Sequence, residues 1–427
     1  MTVKKIAAVI GLLCLSACAP TQDNIYRQPI SADIPLAYEP TKADAASAKI
    51  AMLLPLSGKS SSVGEEMKRA GMMAQYDKQS SNTAVIFYDT QGTPEGAEAA
   101  LEAALKQKPT FVVGPVFAAE TEAVREEGSR VPVVAFTSDN EVVGDDVYSI
   151  ALMIPAQVER VVDYACQQGQ RKIAVLGPEN RVGEITMNTL SKAVQTCPDM
   201  VIQNVSLYNP RTVNFDPAVA KLVPQPIDPK KKDLTDEEKL MLETPIAERV
   251  DFDSLLVFED GVKLQQVMSM LSYYDVTPKD IPIYGLSSWS NVRDANLIGG
   301  YYPAMPNALY ADFIGRYRRH FGETPSRMAA YAYDAVSLGT LSGNAHFSDA
   351  VLTNENGFSG VNGRFRLNSD GTNTRLLDMM QVVSKNRAAV VQSAPNQMPL
   401  RNKTSFFGEK QPQINEMKND YNALIIQ

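Results

Sequence analysis

The chain has 427 residues and carries 41 Lys plus Arg against 49 Asp plus Glu, a formal charge of −8 at pH 7. At roughly 150 residues per domain this length holds two or three domains, and 44% hydrophobic with 21% charged residues excludes a collagen-like, coiled-coil or wholly disordered chain. The acidic balance lacks the cationic footprint of a nucleic-acid binder; two histidines and four cysteines leave little for a His/Cys metal centre or histidine acid–base chemistry.

Lys4 and Lys5 open a basic segment, Ile6 to Leu15 is apolar, and small residues follow. The run is too short for a membrane span and has the layout of a secretory signal, so residues 1–17 are expected to be removed. Leu15, Ser16, Ala17 and Cys18 resemble the lipobox of bacterial lipoproteins, which implies lipid attachment at Cys18; an ordinary signal with an incidental cysteine is the alternative. A lipid would hold the protein at a membrane while the fold stays in water. In such lipoproteins an aspartate after the cysteine retains the protein in the inner membrane, so Ala19 implies the outer one. Residues 18–48 are rich in Pro, Gln, Ala, Asp and Ser without apolar periodicity and read as a flexible tether.

From Lys49 the pattern changes to an apolar run ending at Leu56 before Ser57 and Gly58, followed by Met67, Ala70, Gly71 and Ala74 at helical spacing. Ala84 to Asp89 is the next strand, and Ala97, Ala100, Leu101, Ala104 and Leu105 mark the next helix face. Thr110 to Gly114 and Val131 to Thr137 continue the alternation expected of a parallel sheet with helices on its faces. A second series starts near Tyr148, with strands at Lys172 to Gly177, Met200 to Ser206, Ser254 to Phe258 and Pro282 to Leu286. The aromatic stripe Tyr310, Phe313, Tyr317 and Phe321 and the helix of Met328, Ala332, Ala335 and Val336 return as core helices to the first lobe.

The reading is therefore α/β, with two doubly wound, Rossmann-like lobes joined by a hinge. The first lobe takes residues 49–150 and 296–345; the second takes 151–295 and 346–387. Residues 216–249 form an insertion in which Thr235 and Glu238 fit a capping box for a short surface helix. Residues 388–427, polar with few apolar clusters, read as an extension with little structure. Cys166 and Cys197 fall near the ends of two successive helices, and either a disulfide in an oxidising compartment or two separately buried thiols fits them.

The segments KIAMLLPLSG, YDTQG, VVGP, VPVVAFTS, KIAVLGP and PIYGLSSW occur in this order. Together they resemble the type I periplasmic-binding fold of the branched-chain amino-acid receptors over about Lys49 to Lys385. The resemblance implies a ligand cleft between the lobes at the carboxyl ends of the strands. Candidate cleft residues are Ser57, Gly58, Gly114, Pro115, Thr137, Ser138, Glu259, Asp260, Ser287, Ser288 and Trp289; turn chemistry is the competing account of each. An amino-acid receptor holds an α-carboxylate with hydroxyls and main-chain donors, and an ammonium group with an acid. Here Val116, Phe117 and Ala118 stand where the receptors place serines, and Ser287 and Ser288 where they place the acid.

The chain also resembles the penicillin-binding protein activators, outer-membrane lipoproteins with this fold, though it lacks their helical-repeat N-terminal domain. That resemblance implies a non-catalytic, lipid-anchored periplasmic protein whose partner is a peptidoglycan synthase. The alternative is a solute-binding lipoprotein of a branched-chain amino-acid-type ABC transporter with a small molecule in its cleft. G-x-S-x-G, H-E-x-x-H and P-loop patterns are missing, and no cofactor or metal is implied. The paired acids Glu65–Glu66, Asp145–Asp146 and Glu259–Asp260 read as surface or strand-end groups, since nothing in the sequence argues for the burial that raises a carboxyl pKa.

Overall fold

Strand β1 (Ala48–Leu54) sends Ile50, Met52 and Leu54 to one face and Ala51 and Leu53 to the other, and all five are buried. A strand apolar on both faces needs a layer on each side. The computed structural model, which describes residues 48–77, 83–341 and 349–399, supplies those layers with helices. The signal segment, Cys18 and the tether up to residue 47 lie outside the described residues.

The first lobe runs β1, α1 (Ser61–Asp77), β2 (Thr83–Asp89), α2 (Pro94–Lys106), β3 (Phe111–Val113), α3 (Ala118–Glu127), β4 (Val133–Ala135) and β5 (Val147–Ser149). Its parallel sheet has the order β2-β1-β3-β4-β5. Local chemistry fixes the helix starts: Thr93 caps α2 by accepting the Gly96 N–H at 3.0 Å, with Pro94 at the first helical position.

The second lobe runs α4 (Ile154–Gln167), β6 (Lys172–Pro178), α5 (Arg181–Ala193) and β7 (Val201–Tyr208). The insertion contributes α6 (Asp216–Val219), α7 (Asp236–Glu243) and α8 (Ile246–Arg249), and β8 (Ser254–Val257), α9 (Gly261–Tyr273), β9 (Ile283–Tyr284) and β10 (Tyr301–Ala304) complete the parallel part. In α7 the capping box forms, with the Thr235 hydroxyl accepting the Glu238 N–H and the Glu238 carboxylate accepting the Thr235 N–H. No residue of α7 is buried, and Leu240 and Met241 are exposed.

The chain then passes through α10 (Ala308–Phe321), α11 (Arg327–Leu341) and α12 (Asp349–Leu352) into a small antiparallel sheet of β11 (Phe358–Gly360), β12 (Gly363–Leu367) and β13 (Asn373–Arg375). It ends in the antiparallel hairpin of β14 (Asp378–Ser384) and β15 (Arg387–Gln392). The second sheet has the order β15-β14-β10-β9-β8-β6-β7. Its parallel part repeats the topology of the first sheet, with β6 and β8 flanking the reversal of strand order as β1 and β3 do.

The lobe boundaries differ from the sequence reading in three places. Residues 296–304 stay with the second lobe, because β10 pairs with β9 and β14. Residues 349–377 join the first lobe, whose core includes Leu352, Phe365, Leu367 and Leu377. Residues 388–392 belong to β15, where the sequence reading had an extension with little structure; residues 400–427 lie outside the described residues. The stripe on α10 is core as expected, with Phe313 and Tyr317 fully buried. Cys166 and Cys197 are joined in a disulfide with their Cα atoms 5.9 Å apart, the bonded one of the two arrangements left open by the sequence.

Candidate functional site

In an open α/β sheet the crevice lies where the strand order reverses, outside the carboxyl ends of the strands. The loops after β1 and β3 meet this condition in the first lobe, and those after β6 and β8 in the second.

After β1, Ser57 and Gly58 are exposed. The Ser57 N–H donates to Asp89 Oδ1 at 3.1 Å, alongside Leu56 at 2.9 Å and Gln91 at 2.8 Å. Burial opposes ionisation of Asp89, but these donors and the Ser57 hydroxyl outweigh it and hold the carboxyl below its ordinary range. After β3, Gly114 and Pro115 are buried. Gly114 has a φ of +98°, and an added Cβ would sit 2.2 Å from the Leu53 carbonyl oxygen, so only glycine fits.

The first turn of α3 lies directly beyond. The N–H groups of a helix start form an anion site, yet here Glu120 Oε2 accepts the N–H of Phe117 at 2.9 Å and of Val116 at 3.3 Å. Glu120 is 1% exposed. Burial pushes its carboxyl up, against hydrogen bonds from Thr90, Phe117 and Val116. Two main-chain donors just before α3 are thus taken by a carboxylate of the chain, and Val116, Phe117 and Ala118 bring no hydroxyl.

Thr137 is buried and Ser138 exposed after β4. The Thr137 hydroxyl accepts the Asp139 N–H at 3.0 Å, and Asp139 Oδ1 accepts the Glu141 N–H at 3.0 Å. This ladder orders the loop that carries two carboxylates of the first lobe. They meet Arg181, the first residue of α5 in the second lobe: Arg181 Nη2 is 2.6 Å from Glu141 Oε1 and 3.9 Å from Asp139 Oδ1. Arg181 Nη1 donates to Glu184 Oε2 at 3.2 Å, and Asn180 caps the helix through the Gly183 N–H.

The remaining candidates sit on the second lobe. Glu259 Oε2 accepts the Tyr208 hydroxyl at 2.7 Å, and burial followed by this carboxylate pushes the phenol pKa up. Asp260 is exposed at the start of α9, its N–H donating to Glu259 Oε1. The Ser287 N–H donates to Gln157 Oε1 at 2.8 Å, and Ser288 is half-buried. Trp289 is not a cleft residue. It is 1% exposed in the second lobe's core, packed against Gly285 and Gly300, where an added Cβ would meet the indole at 2.0 and 2.8 Å.

The candidates thus divide into a Thr137–Ser138 loop presented to α5 and a Glu259–Asp260 pair at the second lobe's own crevice. Glu120, Asp139, Glu141 and Arg181 were missed from the sequence; the signal for Asp139 and Glu141 was their i, i+2 spacing directly after Thr137 and Ser138. Among the described residues no group of His, Cys, Asp and Glu is placed to hold a metal ion, and no helix is long and apolar enough to cross a membrane.

No curated protein sequence matches the chain. Solved structures do. A Rhodospirillum rubrum protein described as a branched-chain amino acid ABC transporter has a TM-score of 0.65 at 15% identity, over 81% of this chain and 99% of its own. The leucine-binding protein LivK from Thermotoga maritima gives 0.52 at 15% identity, over 82% and 99%. Full-length LpoA from Haemophilus influenzae gives 0.59 at 16% identity, over 84% of this chain and 60% of its own length. At such identities these likenesses bear on fold. The sequence profile of the periplasmic binding proteins matches residues 47–387. The chain belongs to the periplasmic binding protein family and has its type I fold.

Proposed function

We propose that the protein is a non-catalytic, lipid-anchored periplasmic protein that binds a peptidoglycan synthase of the penicillin-binding class and raises its activity in cell-wall synthesis. The observation that carries this reading is the weak solute chemistry of the loop after β3, where Val116, Phe117 and Ala118 bring no hydroxyl and the Val116 and Phe117 N–H groups are held by Glu120. A binding fold that lacks these solute contacts is free to serve recognition through its outer surfaces, since function resides in the site and not in the fold. The likeness to LpoA, a penicillin-binding protein activator, supports the same reading.

On this account Cys18 carries the lipid, Ala19 directs the protein to the outer membrane, and the tether spans tens of ångströms at about 5 Å × √n. Titrating a bifunctional penicillin-binding protein with the full-length lipoprotein tests it: saturable binding with a raised polymerisation or transpeptidation rate is expected. Lack of binding at tens of micromolar removes the reading.

A second reading, solute binding for an ABC transporter, is favoured by the R. rubrum and T. maritima likenesses and by the place of Thr137 and Ser138 after β4. It requires a small solute to bind with lobe closure, and Thr137→Ala with Ser138→Ala to abolish both.

A further inference from the structure

A free amino acid that bridges two lobes brings one anion and one cation. Its carboxylate needs main-chain or hydroxyl donors, and its ammonium needs an acid. The cationic role is already filled here by a side chain. Arg181 reaches from α5 to the first lobe and sets its guanidinium 2.6 Å from Glu141 and 3.9 Å from Asp139. The loop that carries the two acids is ordered by the Asp139 N–H donating to Thr137 Oγ1 and the Glu141 N–H donating to Asp139 Oδ1.

From this we infer that Arg181 is a built-in cationic ligand of the cleft, which holds the second lobe to the Asp139–Glu141 loop and thereby biases the protein toward closure without solute. The chemistry sets a specificity. An anionic solute meets three carboxylates, Asp139, Glu141 and Glu184, around the Arg181 guanidinium. A solute can compete only through a cation that replaces Arg181, and it competes against a group whose short stem gives it an effective concentration on the order of millimolar or above.

The pair is partly solvated, with 36% of the Arg181 and 55% of the Glu141 side chain exposed. Exposed ion pairs shift an equilibrium by about fivefold or less, so the latch biases the lobes toward closure and does not weld them.

The test measures interlobe distance in the full-length protein. Spin labels go on cysteines introduced at Glu98 in α2 and Ser191 in α5, both exposed. Solute-free protein is expected to give one short distance. Arg181→Ala and, independently, Glu141→Gln should each populate a longer distance up to about fivefold more. Far-UV circular dichroism confirms that each variant is folded; should Arg181→Ala fail to fold, Glu141→Gln carries the comparison. Identical distance distributions in the unsubstituted protein and a folded variant would overturn the inference, as would closure that needs an added amino acid. Neither result depends on the presence of a synthase, so the latch and the activator reading fail separately.

Discussion

The phenol oxygen of Tyr331 accepts the main-chain N–H of Leu152 at 2.9 Å, tying α11 of the first lobe to the first connection between the lobes. The other connections are pinned nearby in the same way. Arg327 donates to Asn307 Oδ1 at 2.5 Å and to the Met305 carbonyl, and Arg160 Nε donates to the Leu377 carbonyl at 2.8 Å. Arg375, buried between the rings of Tyr331 and Phe365, donates to the Ile150 carbonyl. The hinge is thus a polar hub in which side chains satisfy main-chain groups that no sheet ladder reaches.

Tyr331→Phe removes one partner and leaves the Leu152 N–H unpaired. An unsatisfied, largely buried donor costs about 1–3 kcal/mol. Urea denaturation followed by circular dichroism should show that loss, and an unchanged midpoint would place the Leu152 N–H against another acceptor.

Asp334 makes the hub pH-dependent. It is 3% exposed and accepts the N–H groups of Val361 at 2.6 Å and Asn362 at 3.1 Å. Burial nevertheless pushes its carboxyl up from 3.8 to about 6, against those donors and the charge of Arg375. A folded pKa above the unfolded one means that the folded state holds a proton which the unfolded chain has already released. The contribution is full below about pH 4 and is lost as pH rises through about 6, a change of about 3 kcal/mol. Asp334→Asn should remove that slope. Parallel stability profiles for the two proteins from pH 4 to 7 would contradict the assignment.

Gly285→Ala drives a methyl group into the Trp289 ring, 2.0 Å from its nearest atom. Overpacking of this kind costs about 1–3 kcal/mol. Calorimetry should show a lowered melting temperature, and a variant as stable as the parent would mean that the indole can move aside.

Cys166 and Cys197 enclose a loop with a sequence separation of 31, for which loop-closure entropy gives about 3–4 kcal/mol of stabilisation. Mass spectrometry of denatured, unreduced protein should find both cysteines blocked to alkylation, and a reductant should lower the melting temperature. Two alkylated thiols before reduction would remove the bond.

The alternation of strands and helices was legible because each parallel strand is an apolar run buried on both faces: Ile173 and Val175 pack on one side of the second sheet, Ala174 and Leu176 on the other. Allegiance between lobes was not legible, because β10 is assigned by pairing with β9 and β14, and strand pairing leaves no local pattern. Residues 388–392 were read as extension because the hairpin partner that orders β15 sits across a turn at Lys385 and Asn386. Trp289 followed two serines at a strand end and read as a loop residue. Its burial depends on the space left by Gly285 and by Gly300, fifteen positions on. The cross-lobe contact of Arg181 with Glu141 joins residues brought together only by the hinge, so composition and spacing carried no trace of it.

The most direct measurement of the account is the rate of glycan-strand synthesis by a bifunctional penicillin-binding protein with and without the full-length lipoprotein. The account predicts a saturable rise in rate, with no amino acid required for the effect. An unchanged rate and no detectable complex, together with tight binding of a small solute, would contradict it and return the protein to the solute receptors.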